Sequence, residues 1–346
     1  MPLSNTWNAT RTLFTVCLLA LISFPATARD DAGTVVEVFV HGHALEGNLD
    51  GNPVERSVFV YLPPGYEENT SKHYPVAYLL HGYGLRASRW MTLFDIEGAA
   101  NRAMGSNGMA QDMIVVSPGT YTIYDGSMYS SSATVGDWES FIAEDLVAYI
   151  DSHFRTIPNR ESRGLAGHSM GGYGTLRIGM KRPDVFSALY PMAACCMMEW
   201  GEPSEALEIA GTYTTREEVV ALRYPNKGQF ARAAAWSSNP QKPPFFVDLP
   251  VEDSVARPEI QAKWIANSII PMLGQYTANL KKYTAIQFDV GTEDSLITVN
   301  QQLDDALTQA GIAHTFLTYE GDHNNKVSER IEQHVLPFFS KHLVFE

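Results

Sequence analysis

The sequence predicts an α/β fold with a mostly parallel central sheet and helices on both faces. Three observations carry this. Short apolar runs at 76–80 (VAYLL) and 113–117 (MIVVS) lack the alternation of a half-solvated strand and read as strands buried on both faces. Stretches with helical spacing stand between successive runs, as crossovers between parallel strands require. The 346 residues are 45% hydrophobic and 18% charged, with no short repeat, enough to bury a large core without disulfide staples.

The chain opens on an address. Residues 1–11 are polar with Arg11 as their one cation, and 13–24 (LFTVCLLALISF) carry no charge. Ala26-Thr27-Ala28 then offers the small residues of a signal-peptidase site. Twelve apolar residues rise only ~18 Å as a helix, short of a ~30 Å hydrocarbon core. Residues 1–28 are therefore read as a secretory signal. The expectation is a secreted or periplasmic protein with no stable membrane anchor and one domain over 29–346.

Residues 34–40 and 56–62 are β-branched and partly alternating, and the turn-rich 47–53 between them predicts an antiparallel pair. A helix over 96–104 separates the two buried strands. Residues 138–154 place Phe141, Ile142, Leu146, Val147, Ile150 and Phe154 on one face of an amphipathic helix. A strand at 163–166 runs into Gly167, and a helix leaves over 170–181. Strands at 186–194, 285–290 and 315–319, with helices at 302–309 and 326–343, complete the alternation. Residues 197–284 break it, standing where one crossover helix would suffice. They hold helical pieces (202–209, 216–222, 260–272) and an extended proline-rich run (238–250), and are expected to form a cap-like insertion before the acid-bearing strand.

The charge balance of 25 Lys and Arg against 39 Asp and Glu, −14, argues against a nucleic-acid partner or an anionic membrane surface. Acids gather in the insertion (Glu199, Glu202, Glu205, Glu208, Glu217, Glu218), so a negative field favouring neutral or cationic substrates is expected near the cleft. Past the leader only Cys195 and Cys196 remain. Adjacent cysteines form no disulfide framework; two buried thiols, a strained vicinal disulfide and an intermolecular bridge stay open.

Chemistry concentrates in four loops. Gly167-His168-Ser169-Met170-Gly171 lies between an entering strand and a leaving helix, which puts Ser169 on a sharp turn and aims the Met170 N–H at a developing oxyanion. His81-Gly82-Tyr83-Gly84-Leu85 follows a buried strand and is placed to present a second donor, the Leu85 N–H, with the Tyr83 N–H as alternative; His81 reads as orienting the loop. Gly291-Thr292-Glu293-Asp294-Ser295 supplies an acid, Asp294, with Glu293 and Asp289 as competitors. Gly321-Asp322-His323-Asn324 supplies a histidine. The order Ser169, Asp294, His323, each in a loop after a strand, is that of the α/β-hydrolase fold: a serine nucleophile, an orienting acid and a general base. No H-E-x-x-H, C-x-x-C or phosphate-binding glycine loop with lysine appears, so no metal or cofactor is expected.

With these residues the sequence resembles the esterase D family of α/β-hydrolases, which includes feruloyl and acetyl esterases, S-formylglutathione hydrolases and mycolyltransferases. HGYG (81–84), DWESFIAEDLVAYI (137–150), GHSMGGYGT (167–175), GTEDSL (291–296) and GDH (321–323) carry the resemblance, which covers essentially the whole chain from residue 34. It implies Ser169, Asp294 and His323 as catalytic residues and Met170 and Leu85 as the oxyanion hole. The implied substrate is a small-molecule or polysaccharide-linked ester with a feruloyl, acetyl or other short acyl group. The ending GDHNN departs from the family's GHDW-like pattern, and the insertion is longer than in the simplest members, so substrate choice is expected to lie there. Tyr83, Tyr129 and Trp138, with Tyr121 and Tyr124, are candidates for an aromatic cleft wall, with core packing as the competing role. An exported acyltransferase with the same triad, and a catalytically silent binding protein on the same fold, are the alternatives. The oligomeric state is left open.

Overall fold

The computed structural model describes residues 1–2, 32–199 and 204–345; the leader from residue 3 on and Glu202 lie outside them. Eight strands form one sheet: β1 (Thr34–His41), β2 (Glu55–Leu62), β3 (Val76–Leu80), β4 (Ile114–Pro118), β5 (Arg163–His168), β6 (Ala188–Met192), β7 (Ala285–Gly291) and β8 (Thr315–Tyr319). Their order is β1-β2-β4-β3-β5-β6-β7-β8. β2 pairs antiparallel with both β1 and β4, and every other neighbouring pair is parallel. Alternate residues of β3 enter opposite layers: Val76, Tyr78 and Leu80 join one hydrophobic cluster, Ala77 and Leu79 the other. A strand covered on both faces has no polar side to alternate with, which explains its unbroken apolar sequence.

Helices α1 (Ala87–Leu93) and α2 (Ile96–Met104) cover one face. α1 escaped the sequence reading because its seven residues bury only Ala87, Trp90 and Met91, too few to display a period. The helix expected over 138–154 exists as Trp138–Ser140, a π-helical turn at Phe141–Asp145, and α3 (Leu146–His153). α4 (Met170–Lys181) leaves β5, α10 (Ile297–Gln309) follows β7, and a last helix runs from Val327 to His342 with a π-turn at Ile331–Val335. α10 starts at Ile297 rather than 302 because its first turns bury a polar residue: the Asn300 amide donates to the carbonyl of Ala194 at 3.0 Å.

Between β6 and β7 lie α5 (Glu205–Ala210), α6 (Arg216–Val220), α7 (Asn226–Trp236), α8 (Pro258–Ala266) and α9 (Ile269–Leu280). α7 was not expected; it buries Lys227, Phe230, Ala231, Ala233, Ala234, Ala235 and Trp236 and so has no polar stripe to mark it. The helix expected at 260–272 divides at Asn267-Ser268, and the run at 238–250 folds back so that Ser238 bridges Val247. α9 is the crossover helix itself. It packs on α4, where the Tyr173 hydroxyl donates to the Asn267 carbonyl at 2.8 Å and Arg177 meets Met272. Residues 197–284 thus include a helix that covers the sheet. Among the described residues no helix is long and apolar enough to cross a membrane.

Candidate active site

β5 ends at His168, and the chain turns at Ser169 with φ 58° and ψ −114°, a conformation that costs a non-glycine residue ~1–3 kcal/mol. Close packing holds the turn. A Cβ on Gly171 would stand 2.1 Å from the Leu80 carbonyl oxygen, and one on Gly167 would stand 2.4 Å from that of Gly171. Two glycines flanking the serine are therefore required by contact with the end of β3 and with each other. Two strands away, β7 and β8 pair with Gly291 opposite Tyr319. Their following loops are stitched by Thr292 N–H to the Tyr319 carbonyl (2.8 Å) and Glu293 N–H to that of Gly321 (3.0 Å). This brings Asp294 and His323 together beside Ser169.

His323 Nδ1 lies 2.7 Å from Asp294 Oδ2, and its Nε2 lies 2.9 Å from Ser169 Oγ. Burial pushes the Asp294 carboxyl up, but hydrogen bonds from His323 and from the Leu296 amide outweigh it and hold the carboxyl below its ordinary range. An ionised carboxylate only accepts, so Nδ1 carries the imidazole proton and Nε2 is left to accept from the serine hydroxyl. The competing acids are elsewhere. Asp289 is fully buried against Arg330 (2.7 Å) and the Tyr190 hydroxyl (2.7 Å), and Glu293 is exposed while His323 Nδ1 is taken up by Asp294.

Two further histidines frame this line. His81 is buried; its Nδ1–H donates to the Gly82 carbonyl (2.9 Å) while Nε2 accepts from the Thr120 amide (3.0 Å), which fixes the loop after β3. His168 was not singled out by sequence, although it stands inside the serine pentapeptide. Its Nε2–H donates to the backbone carbonyl of His323 at 2.7 Å, and its ring stacks on Trp90. Burial lowers the pKa of His81 to about 4; burial, and then the nearby His323, lowers that of His168 to about 3. Each gains a proton below about pH 6.5 in the unfolded chain but stays neutral in the folded one, so stability is complete above that pH and falls on acidification. Two such residues are expected to cost roughly 2–3 kcal/mol of unfolding free energy between pH 6 and pH 5. Denaturant titrations at the two pH values check this; equal midpoints would contradict it.

The three residues open into a cleft of about 710 Å³ lined by Tyr83, Leu85, Met128, Met170, Leu222 and Tyr224, with charged Asp125, Glu199, Arg223 and Arg232. Two expectations need correction. Tyr129 and Trp138 are wholly buried and do not line it: the Tyr129 hydroxyl donates to the His81 carbonyl from beneath the loop, and the Trp138 indole donates to Val135. Tyr124 is likewise core, while Tyr121 lies outside the lining with Arg86 over its ring. The cleft is also not acidic. Of the described insertion acids only Glu199 lines it, 3.7 Å from Arg232, while Glu205, Glu208, Glu217 and Glu218 face solvent. Asp125 is taken up by Lys227 at 2.7 Å, and Arg223 adds a further cation. Of the alternatives left open for the cysteine pair the structure shows free thiols: Cys195 and Cys196 both line the cleft, and burial pushes the Cys196 thiol up and keeps it protonated. The wall residues Leu222, Arg223, Tyr224 and Arg232 carry no motif that sequence could have offered.

A family model named Esterase matches residues 53–327. The endo-1,4-beta-xylanase/feruloyl esterase of Xylanibacter ruminicola is 32% identical over 135 residues, 37% of this chain and 18% of that protein. The chain thus covers about a fifth of that relative's length. Among solved structures, a ferulic acid esterase superposes with a TM-score of 0.63 at 23% identity, over 90% of this chain and 99% of the other. An S-formylglutathione hydrolase from Staphylococcus aureus gives 0.57 at 18% identity, over 90% and 98%. These structural likenesses are of fold, and the fold is that of the α/β-hydrolases.

Proposed function

The chain belongs to the Esterase family, and from that premise we propose that it hydrolyses carboxylic esters through an acyl-enzyme on Ser169. The observation that carries the reading is the unbroken hydrogen-bonded line from Ser169 Oγ through the His323 ring to Asp294. As Ser169 Oγ attacks the ester carbonyl, His323 Nε2 takes its proton, and Asp294 stabilises the imidazolium without taking a proton itself. The imidazolium then protonates the leaving alcohol, and water repeats the sequence to release the acid. The oxyanion is met by the Met170 N–H at the start of α4 and by a donor from the loop after β3. For that donor Tyr83 has better support than Leu85. Gly82 packs on the serine, a Cβ there standing 3.4 Å from Ser169 Cβ, and the next amide is that of Tyr83; the Gly84 amide is already bonded to Asp125. Each donor is worth ~3–4 kcal/mol of transition-state stabilisation.

The rings of Tyr83 and Tyr224 stand 5.8 Å apart at the cleft, which suits an aromatic or short acyl group, and two of the similar proteins are named as feruloyl or ferulic acid esterases. A panel of feruloyl, acetyl-sugar and short-chain p-nitrophenyl esters tests the reading, with an added alcohol acceptor to separate hydrolysis from acyl transfer. With Arg223 and Arg232 in the wall, an ester carrying a carboxylate is expected to turn over within about threefold of its neutral isostere at low salt. Arg232→Gln is expected to slow the anionic ester selectively. Tenfold discrimination against the anionic ester would restore the acidic-cleft expectation. We further propose export with cleavage after Ala28, supported by the leader's composition; N-terminal sequencing of the secreted protein tests it.

A further inference from the structure

The end of β1 gathers metal-ligating side chains outside the cleft. β1 closes on His41, the chain turns at Gly42, and a 3-10 turn over His43–Leu45 leads to Glu46. His41 Nε2 lies 2.8 Å and His43 Nδ1 3.3 Å from one oxygen, Glu46 Oε1, and all three ligand atoms lie within 4.8 Å of one another. A tetrahedral Zn²⁺ with bonds of about 2.0–2.1 Å spaces its ligands about 3.3 Å apart, so the two bonded pairs need only sub-ångström adjustment and the two imidazole nitrogens, within 4.8 Å of each other, a rotation of the exposed His43 ring toward His41.

A second observation is independent of that spacing. The other nitrogen of His41, Nδ1, is held at 2.5 Å by Glu55 Oε1, from the residue opposite His41 in the β1–β2 register. A carboxylate on the far nitrogen of an imidazole fixes its tautomer and aims the first nitrogen, which is the outer-shell arrangement of histidine metal sites. We propose that His41, His43 and Glu46 form a surface site for a borderline divalent transition ion such as Zn²⁺, with Glu55 as its positioning residue. Imidazole nitrogens select such ions over Mg²⁺ and Ca²⁺. The side chains are 40–77% exposed, leaving further coordination positions to water. On binding, the ion displaces the proton shared between imidazole and carboxylate into solvent, with no change of oxidation state.

The site ties the edge strand β1 to β2 and to the turn whose Leu45 is fully buried. Four strand spacings of about 4.8 Å separate β1 from β5, so the ion clasps the sheet edge and takes no part in the chemistry at Ser169.

The test is calorimetric titration of the untagged, chelator-stripped full chain with Zn²⁺, alongside Co²⁺ absorption spectroscopy. One equivalent is expected, with the visible spectrum of low-coordinate Co²⁺ and a raised Tm. Binding is expected to vanish in the His41→Ala, His43→Ala double variant and to weaken about 10–100-fold in Glu55→Gln. Ester turnover, unchanged in these variants, confirms that they fold. Absence of stoichiometric binding, binding that survives the double variant, or displacement by equimolar Ca²⁺ would each overturn the site.

Discussion

Ser169→Ala is expected to lower kcat for a p-nitrophenyl ester by at least about 10⁴-fold, leaving the residual rate that binding and oxyanion donors alone supply. The variant is also expected to fold. Ser169 occupies its strained turn through backbone contacts, its carbonyl accepting from Tyr173 and Cys195 and its amide donating to Met192, and none of these needs the hydroxyl. Circular dichroism and the thermal midpoint should match the wild type while turnover disappears. Wild-type turnover in the variant would remove Ser169 from the chemistry.

Two aspartates at the end of β7 are expected to separate catalysis from stability. Asp294→Asn keeps the shape but lets the amide stabilise the wrong imidazole tautomer, turning Nε2 into a donor that cannot take the serine proton; a loss of about 10⁴-fold in kcat is expected with little change in midpoint. Asp289→Asn does the reverse. It leaves the Arg330 guanidinium, 7% exposed, without its buried counter-charge, and about 3 kcal/mol of stability is expected to go while kcat of the folded fraction stays near wild type. Denaturant titration and steady-state kinetics on both variants decide it. A catalytic collapse in Asp289→Asn with Asp294→Asn active would exchange the roles assigned here.

The same pair shows what was legible in the sequence. Both acids end or follow one strand, and chain position left Asp289, Glu293 and Asp294 in competition. The loop contacts that bring His323 to one of them are backbone bonds between β7 and β8 segments, which no residue type announces. The serine turn was legible because its glycines are sterically required, as the 2.1 Å approach of a Gly171 Cβ to Leu80 shows. The buried strands were legible because two covered faces leave an unbroken apolar run. Tyr129 and Trp138 were misplaced because loop residues close to the site in sequence can anchor it from below. The cleft wall was misjudged because net acidity says nothing about which side chains turn inward: Glu205, Glu208, Glu217 and Glu218 turn out, and Arg223 and Arg232 turn in. α7 stayed hidden because a helix buried on all sides has no amphipathic period.

In the proposed mechanism Ser169 Oγ is the atom acylated, with His323 as its base. Mass spectrometry of the intact protein after a fluorophosphonate, followed by peptide mapping, tests it most directly. One adduct is expected, on Ser169, that His323→Ala suppresses and Ser169→Ala abolishes. An adduct on another residue, or undiminished labelling of Ser169→Ala, would contradict it.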